Sequence, residues 1–452
     1  MSTTIKFIDL FAGIGGMRLG LEQACKSLEI KSECVFTSEI KSTAIKVYQQ
    51  NFSEAKIWGD ITEISSAEIP DFDILLAGFP CQPFSSAGTR QGFLDTRGTL
   101  FFEIERILKD KSPFGFLLEN VEGLVKHDDG RTLATILRKL EELDYRVTCE
   151  VLNAKDFGIP QDRKRVYITG TKTNPISLKN TKKDKPVLSD ILETGCPTLE
   201  TNFVKKLLAQ YSVDELYGKS IKDKRGGEDN IHSWDLELKG NVSLEQKELL
   251  NLLLKQRRRK NWSAKKGIQW MDGIPLTLDE IETFYQHKNL KQMLDDLANK
   301  GYLKYEHPKD IQEVVNKDGK KVKKREYRLD LPKGYNIIVG KLSFPINKIL
   351  NPHDIAPTLV ATDMQKLAVV DGKGLRCLTI REGLRLFGFP EDYQINLPIN
   401  KAFDLLGNTV VVTVVQEITK RIVINIVETC RDVVDNVSIK NIINYTLINI
   451  NY

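Results

Sequence analysis

Short apolar runs alternate with amphipathic stretches along the first 172 residues of the chain. The runs are only four to six residues long, the length of a buried strand, and polar or glycine-rich turns follow them. The stretches between them, such as residues 100–108 and 132–143, carry apolar residues at helical spacing. This alternation predicts an α/β fold with a mostly parallel, doubly wound sheet. The predicted strands are Lys6–Phe11, Glu33–Ser38, Phe72–Ala77, Phe114–Leu118 and Val166–Thr169.

A different pattern begins near residue 173, where the chain becomes lysine-rich and irregular, and the alternation returns only near residue 351. Within this insert, Thr277–Glu280 has the sequence of a helix capping box, and Asp318–Gly319 favours a tight hairpin turn. Two helices followed by a basic hairpin suggest a winged-helix element over residues 275–330. We therefore predict one domain from residues 1–172 and 351–430, an inserted domain from 173–350, and a C-terminal extension from 431–452.

Positive charge is concentrated in the insert. The whole chain of 452 residues has a formal net charge of +5. Between Pro175 and Leu350, however, 34 lysines and arginines face 25 acidic residues. Such segregation suits a polyanionic partner, because cationic side chains displace the counterions condensed on phosphates. A solvated lysine-rich surface would explain the charge about equally well.

Cysteine and histidine usage argues against two classes of protein. The seven cysteines are scattered, without a Cys-x-x-Cys pair, and the chain has five histidines. We therefore expect neither a disulfide framework nor a bound metal. The apolar runs are far shorter than the roughly 20 residues that a membrane helix requires. We expect a cytoplasmic protein without a membrane segment.

A glycine-rich turn, Ala12–Gly16, follows the first predicted strand. Arg18 stands where a dinucleotide-binding fingerprint has its third glycine, which weakens a phosphate-binding interpretation. The turn still lets a ligand approach the backbone closely, and Glu39 ends the next strand, where it could bind a ribose diol. Asp60 could accept a hydrogen bond from an adenine amino group, although an isolated loop aspartate is more often a cap.

Cys81 lies between two prolines in the segment Gly78–Ser85, directly after the third predicted strand. A cysteine in such a loop is exposed and conformationally restricted, which suits a nucleophile better than a buried structural residue. The segment, Gly-Phe-Pro-Cys-Gln-Pro-Phe-Ser, closely resembles one in the cytosine-5 DNA methyltransferase family.

Further segments resemble motifs of the same family, in the same order. They are Phe11–Gly16, Glu119–Val121, Gln161–Arg165, the group Pro357–Leu359, Leu378–Glu382 and Phe387–Pro390, and finally Gly407–Val410. Any one of them could arise by chance, but these five and the Cys81 segment, six in this order, could not reasonably do so. The resemblance implies a Rossmann-like S-adenosylmethionine-dependent methyltransferase domain with a large inserted target-recognition domain.

The resemblance also implies roles for individual residues. Cys81 would add to carbon 6 of a flipped-out cytosine, and Glu119 would hydrogen-bond the ring nitrogen 3 and the exocyclic amine. Arg163 and Arg165, two apart on an extended segment, would project to one side and assist the cytosine carbonyl and a phosphate. The cofactor S-adenosylmethionine, released as S-adenosylhomocysteine, would contact Phe11, Ala12, Gly13, Gly15, Glu39, Asp60, Ile61, Leu100, Asn408 and Val410.

Double-stranded DNA is the implied partner, since the basic insert falls where the family has its recognition domain. The resemblance suggests a monomeric modification enzyme of a type II restriction-modification system, with a cognate restriction endonuclease as functional partner. The residues expected to contact DNA are Gln82, Ser85, Arg97, Gln161, Arg257, Arg258, Arg259, Lys323 and Arg325.

Three alternatives remain open on the sequence. A relative of this family methylates transfer RNA, and only the long basic insert argues for duplex DNA. A Rossmann-type dehydrogenase would explain the glycines, but not Arg18 or the Cys81 segment. A DNA-binding descendant without activity is disfavoured because Cys81, Glu119 and Arg165 are all present.

Overall fold

A computed structural model gives the coordinates of the protein. It describes residues 4–53, 55–80, 99–179, 185–224, 226–269, 273–315, 321–338, 344–361 and 363–429. The chain divides into two compact units. The first comprises Met1–Glu193, Pro352–Gln365 and Leu378–Tyr452, and the second comprises Thr194–Asn351 and Lys366–Cys377.

Strands and helices alternate in the first part of the chain, as the hydrophobic pattern predicts. The strands are β1 (Thr4–Leu10), β2 (Lys31–Ser38), β3 (Ile57–Trp58), β4 (Ile74–Gly78), β5 (Gly115–Val121), β6 (Arg146–Asn153), β7 (Lys164–Thr171), β8 (Ser220–Ile221), β9 (Asn230–Ile231), β10 (Leu303–Glu306), β11 (Lys309–Val315), β12 (Lys321–Tyr327), β13 (Gly334–Ile337), β14 (Lys348–Ile349), β15 (Leu367–Asp371) and β16 (Gly374–Cys377). The α-helices are α1 (Gly16–Ser27), α2 (Ser42–Asn51), α3 (Thr99–Lys111), α4 (Arg131–Glu141), α5 (Asn202–Gln210), α6 (Leu244–Gln256), α7 (Lys260–Lys266), α8 (Leu278–Glu282), α9 (Leu290–Asn299), α10 (Ile380–Arg385), α11 (Ile399–Gly407) and α12 (residues 412–429).

The first unit is built on a seven-stranded sheet in the order β3-β2-β1-β4-β5-β7-β6. Neighbouring strands are parallel except at β7, which runs antiparallel to both β5 and β6. The strand order reverses between β1 and β4, so the loops after these two strands diverge and leave a crevice at their carboxyl ends. The predicted Rossmann-like fold is confirmed.

Burial explains why the central strands form. Residues Ile74–Ala77 of β4 are completely buried, as expected for a strand with helices on both faces of the sheet. The helices α3 and α4 pack their apolar sides on this sheet through Ile104, Ile107 and Ile136. The carboxyl ends of β4 and β5 are thereby held on a rigid core.

The second unit contains a five-stranded sheet in the order β16-β15-β14-β8-β9 and two separate two-stranded sheets, β10-β13 and β11-β12. Trp234 is fully buried in a helical core with leucines of α6 and α9. The predicted capping box is confirmed, because Thr277 and Glu280 exchange both of its hydrogen bonds at the start of α8. Two helices and a hairpin thus occupy residues 278–327, while the turn at residues 316–320 lies outside the described residues. The winged-helix assignment stays a prediction.

The boundaries of the second unit differ from those expected from charge. It begins at Thr194 rather than near residue 173. The intervening residues belong to the first unit, where the Thr173 hydroxyl donates to Asn425 and the Leu188 amide donates to the Asp354 carbonyl. Residues 366–377 join the second unit because β15 pairs with β14. The C-terminal extension 431–452 lies outside the described residues.

No helix among the described residues is long and apolar enough to cross a membrane.

Candidate active site

Glu119 lies near the carboxyl ends of two neighbouring parallel strands, β4 and β5. Gly78, the last residue of β4, is in register with Glu119 of β5. A Cβ atom at Gly78 would lie 3.9 Å from Glu119 Oε2, so the glycine leaves room beside the carboxylate. The chain leaves this point toward the predicted nucleophile three residues later. The predicted residues Cys81, Gln82, Ser85 and Arg97 lie outside the described residues.

Asn120 anchors the backbone that leads to Cys81. Its buried side chain donates from Nδ2 to the Phe79 carbonyl at 3.0 Å and accepts the Val121 amide at Oδ1 at 2.8 Å. Phe79 is itself buried, and its ring centroid lies 6.2 Å from that of Phe101. The residue two positions before Cys81 is therefore held by both a hydrogen bond and apolar packing.

Glu119 and Arg165 form an ion pair across β5 and β7. Arg165 Nε lies 3.1 Å from Glu119 Oε1, and the two side chains are only 14% and 12% exposed. Burial raises the pKa of the Glu119 carboxyl, while the charges of Arg165 and Arg163 act in the opposite direction. A carboxyl with a raised pKa beside a cation can hold a proton and share it with a ligand.

Arg163 does not project beside Arg165 as the sequence suggests. It precedes β7, and its guanidinium is buried 4.9 Å from the centroid of the Phe387 ring. Its Nη1 donates to the Leu359 carbonyl at 3.0 Å, and Nη2 donates to those of Gly407 and Thr409 at 3.2 and 2.8 Å. Burial lowers the pKa of Arg163 to about 10. The predicted contact with substrate is corrected to a positioning role, since carbonyl oxygens of its own chain occupy both terminal nitrogens.

Gln161 requires the same correction, because it was expected to contact DNA. The residue is completely buried. Its Nε2 donates to the Leu386 carbonyl at 2.7 Å, and its Oε1 accepts the Leu359 amide at 3.3 Å. Both ends of the amide are thus used inside the first unit, and the side chain links the Gln161–Arg165 segment to later motifs of the chain.

The glycine-rich turn has a backbone that few other residues would adopt. Phe11, Gly13 and Gly15 have φ values of 54°, 55° and 80°. A Cβ atom at Gly15 would lie 2.4 Å from the Phe52 ring, so only glycine fits there. A Cβ at Gly13 would meet nothing within 4 Å, which leaves open space over the turn. This space allows a ligand to approach the backbone. Ala12 lies buried between these residues.

Glu39 lies directly beside this turn. Its Oε2 accepts the Gly13 amide at 2.7 Å, and its Oε1 accepts the amides of Ile40 and Lys41 at 2.9 and 2.7 Å. Three backbone amides therefore fix the carboxylate at the end of β2. The structure places Glu39 next to Gly13, as expected from the doubly wound fold.

Three other predicted cofactor residues, Asp60, Ile61 and Leu100, lie in the first unit at a short 3-10 helix and at the start of α3. Asp60 caps a short 3-10 helix, accepting the Thr62 amide at 2.9 Å and its hydroxyl at 2.8 Å through Oδ1. Ile61 is buried, and Leu100 is half-buried in the first turn of α3. The loop aspartate therefore has the capping role that the sequence left open.

The last motif reaches the start of α1. A Cβ atom at Gly16 would lie 2.9 Å from Val410 Cγ2 and 3.0 Å from Thr409 Oγ1. Val410 is buried, whereas Asn408 is exposed and its Nδ2 donates to the Asp404 carbonyl at 2.7 Å. Chain segments almost 400 residues apart in sequence thus meet at the glycine-rich turn.

Among the basic residues of the second unit that were predicted to contact DNA, the prediction for Arg257 is wrong. It is 1% exposed, and its Nη1 donates to Asn336 Oδ1 at 2.7 Å. A guanidinium buried in this way cannot reach a phosphate, so the predicted DNA contact is corrected. The remaining predicted residues keep accessible side chains: Arg258 is half-buried, and Arg259, Lys323 and Arg325 are exposed.

Two residues near the site were not predicted as site residues. Arg106 on α3 donates from Nη2 to the Ile64 carbonyl at 3.0 Å and from Nη1 to Ser66 Oγ at 2.6 Å, bracing the chain that follows Asp60. Asp9 is buried in β1 and accepts the Tyr48 hydroxyl at 3.3 Å. Burial raises the pKa of Asp9 well above its ordinary value. An aspartate within an apolar strand is a visible sequence signal, whereas nothing in the sequence marks Arg106.

Within the described part of the chain, no group of histidine, cysteine and acidic residues has the arrangement of a metal site.

Comparison with known proteins identifies the family. The family model of C-5 cytosine-specific DNA methylase matches residues 5–424. The chain is 57% identical over 425 residues to the Type II methyltransferase M.NlaIV of Neisseria lactamica, covering 92% of this chain and 98% of the relative. It is 42% identical over 439 residues to the Type II methyltransferase M.BanI of Aneurinibacillus aneurinilyticus, covering 92% and 94% of the two chains.

Solved structures agree with the fold. The S. pombe Dnmt2 methyltransferase aligns with a TM-score of 0.51 at 17% identity, covering 93% of this chain and 99% of that one. The Entamoeba histolytica methyltransferase EhMeth aligns with a TM-score of 0.52 at 16% identity, covering 94% and 99%. At this identity the alignments establish the fold alone. The family model and the close relatives show that the chain belongs to the C-5 cytosine-specific DNA methylase family.

Proposed function

We propose that the protein transfers a methyl group from S-adenosylmethionine to carbon 5 of a flipped-out cytosine in a specific sequence of duplex DNA, with Cys81 as nucleophile. The observation that supports this most directly is the buried pair of Glu119 and Arg165, 3.1 Å apart. Glu119 is in register with Gly78, which precedes Cys81 by three residues in the sequence. An acid and a cation thus lie at the strand end that precedes Cys81 in the sequence.

The residues around the glycine-rich turn fit S-adenosylmethionine. Gly13 has open space where a Cβ would stand, and so does Gly59, the residue before Asp60. Glu39, fixed by three amides, offers a carboxylate suited to a ribose diol. When bound, the cofactor supplies an electrophilic methyl group. The proposed contacts are Phe11, Ala12, Gly13, Gly15, Glu39, Asp60, Ile61, Leu100, Asn408 and Val410.

The chemistry requires activation of the base, because carbon 5 of cytosine is a weak nucleophile. The Cys81 thiolate adds to carbon 6, forming a sulfur–carbon bond and moving electron density onto carbon 5. Glu119 shares its proton with ring nitrogen 3 and accepts a hydrogen bond from the exocyclic amine. Both contacts stabilise the charge that enters the ring. Once carbon 5 carries the methyl group, loss of its proton breaks the sulfur–carbon bond and releases Cys81.

Arg165 has two functions in this scheme. It lies against Glu119, and its donors can reach a carbonyl or phosphate placed beside that carboxyl. Arg163 acts through the backbone, holding the Leu359 and Gly407–Thr409 segments in place. Extruding the cytosine from the duplex costs a few kcal/mol, which contacts in the pocket offset.

The second unit supplies the recognition domain in this proposal. Arg258, Arg259, Lys323 and Arg325 have side chains that are accessible to DNA, and the surrounding sequence has a surplus of positive charge. Two relatives are named Type II methyltransferases. We therefore propose that the protein acts as a monomer that protects DNA from a cognate restriction endonuclease.

A side-by-side assay of tritiated methyl transfer to plasmid DNA and to transfer RNA tests the substrate. Label in DNA, mapped as 5-methylcytosine at one short recurring sequence, is the expected result. Label in transfer RNA alone would overturn the choice of DNA, and label in neither would favour an inactive descendant. Cys81→Ser is the matched control, which should abolish transfer while cofactor binding persists.

A further inference from the structure

A two-stranded ribbon in the second unit has both of its faces exposed. Strands β11 and β12 pair antiparallel, with Lys309 opposite Tyr327 at one end of the ladder. They form a two-stranded sheet of their own. Residues 311–313 and 322–325 are all exposed. Because successive side chains of a strand point to opposite faces, both faces are exposed along this stretch of the described residues.

Exposed apolar side chains are concentrated on and around this ribbon. Among the described residues, five of the thirteen exposed large apolar side chains fall between positions 305 and 329. Ile311 and Val322, each 38% exposed, lie on opposite faces of the ribbon. A lone two-stranded ribbon gains little stability by itself, and exposed apolar groups on it are suited to contact with a partner. The ribbon is therefore expected to be covered by a partner.

The two faces of the ribbon differ in charge. The basic face carries three cations, one carboxylate and two apolar or aromatic groups: Lys309, Ile311, Glu313, Lys323, Arg325 and Tyr327. Lys309 Nζ lies 4.3 Å from the centroid of the Tyr327 ring. The opposite face carries one cation and two carboxylates, Lys324, Asp310 and Glu326, and Lys324 Nζ contacts Glu326 Oε1 at 2.9 Å.

We infer that this ribbon enters the major groove of duplex DNA, with its basic face toward the bases and phosphates. The groove is about 12 Å wide and admits a two-stranded ribbon. Arg325 and Ile311 are cross-strand partners, so a guanidinium and an apolar group are presented together. These are the groups that contact guanine and the thymine methyl, respectively. The inference rests on the proposed function and deepens it by naming the element that engages DNA.

Charge-neutralising substitutions test the assignment of the face. Lys323→Gln and Arg325→Gln remove cations from the basic face, and Lys324→Gln is a matched control on the opposite face. A fluorescent DNA duplex that contains the sequence methylated by the protein is titrated with the full-length protein. The titration is repeated over a range of salt concentrations. Each basic-face variant is expected to lower the slope of log Kd against log salt by about 0.9 and to weaken binding about fivefold at 0.15 M salt. Lys324→Gln should stay within about twofold of the unsubstituted protein.

The possible results separate this inference from the proposed function. If all three variants bind like the unsubstituted protein while that protein still methylates DNA, the inference that the ribbon contacts DNA is overturned and the proposed function stands. If Lys324→Gln weakens binding as much as the other two, the assignment of the basic face is overturned. If the unsubstituted protein neither binds nor methylates duplex DNA, both proposals are overturned. Thermal unfolding and cofactor binding of each variant establish that the fold is retained, as expected for exposed positions.

Discussion

Replacing Arg163 with lysine distinguishes a structural arginine from a catalytic one. The guanidinium makes three hydrogen bonds to backbone carbonyls, of 3.0, 3.2 and 2.8 Å, in a buried setting. A lysine keeps the charge, but its single ammonium cannot span carbonyls at both Leu359 and Gly407–Thr409. We therefore expect the variant to lose stability, because at least one buried carbonyl is left without a donor.

The size of the loss follows from the number of bonds. A hydrogen bond to a charged group contributes about 1.5–3 kcal/mol. If the ammonium keeps one bond and loses two, the expected destabilisation is about 3 kcal/mol at the lower end of that range. Such a change lowers the melting temperature by about 6 °C for a unit of this size. The turnover of the folded fraction should stay within about tenfold of the unsubstituted enzyme.

Arg165→Lys is the matched control, since Arg165 lies at the strand end beside Glu119. Because lysine keeps a cation beside the buried Glu119 carboxylate, we expect it to change stability less than Arg163→Lys does. Its kcat should fall by about a hundredfold, as when a preorganised donor is removed from an active site. Calorimetry and steady-state methyl transfer on both variants provide the data. An Arg163→Lys protein with an unchanged melting temperature and a kcat a hundredfold lower would refute the positioning role.

Three further predictions concern Glu119, Asp9 and Arg106. Glu119→Gln should lower kcat by about 10²–10⁴-fold. The proposed mechanism uses the protonated acid, and burial raises the pKa of Glu119, so the rate of the unsubstituted enzyme is expected to fall as pH rises through that pKa. The variant should lack this fall. Asp9 has a raised pKa, so the folded state binds the extra proton and stability falls as pH rises between the ordinary and the raised pKa, by at most about 1.4 kcal/mol per unit. Urea unfolding from pH 5 to 8 should show that Asp9→Asn removes this decline, and parallel profiles would contradict it. Arg106→Gln should raise KM for S-adenosylmethionine with little change in kcat, and a KM equal to that of Lys109→Gln, an exposed control on the same helix, would refute this.

The parts of the fold that the sequence predicts are those where one physical requirement dominates. β4 is apolar throughout because helices cover both faces of the sheet, so its pattern is unambiguous. β6 was not predicted, since most of its residues are only half-buried or exposed and its hydrophobic signal is weak. β3 has only two residues and is too short to produce a pattern.

The two arginines whose contacts were predicted wrongly, Arg163 and Arg257, were both assigned from a local sequence pattern. Arg163 and Arg165 are two apart, which places them on one side only if the strand is continuous, but β7 begins at Lys164. Arg257 was interpreted as part of a basic surface run. It lies four residues after Leu253 on the buried side of α6, so helical spacing places it inward. The spacing was available in the sequence, whereas its partner Asn336 is a tertiary contact that the sequence does not reveal.

The residues proposed as catalytic could be selected from the sequence because strand ends and motifs coincide there. Glu119 and the Cys81 segment follow adjacent apolar strands, and parallel strands bring their carboxyl ends together. The roles of Asn120 and Arg106 depend on contacts with carbonyls distant in sequence, which no local pattern records.

Covalent trapping of Cys81 tests the central claim most directly. Duplex DNA with 5-fluorocytosine at the target position cannot lose a proton from carbon 5, so the sulfur–carbon 6 bond should persist. With S-adenosylmethionine present, we predict a denaturation-resistant complex between protein and DNA, with peptide mapping placing the link at Cys81 and none forming with Cys81→Ser. Methylation of ordinary DNA by the Cys81→Ser variant, without any covalent complex in the unsubstituted enzyme, would contradict the account.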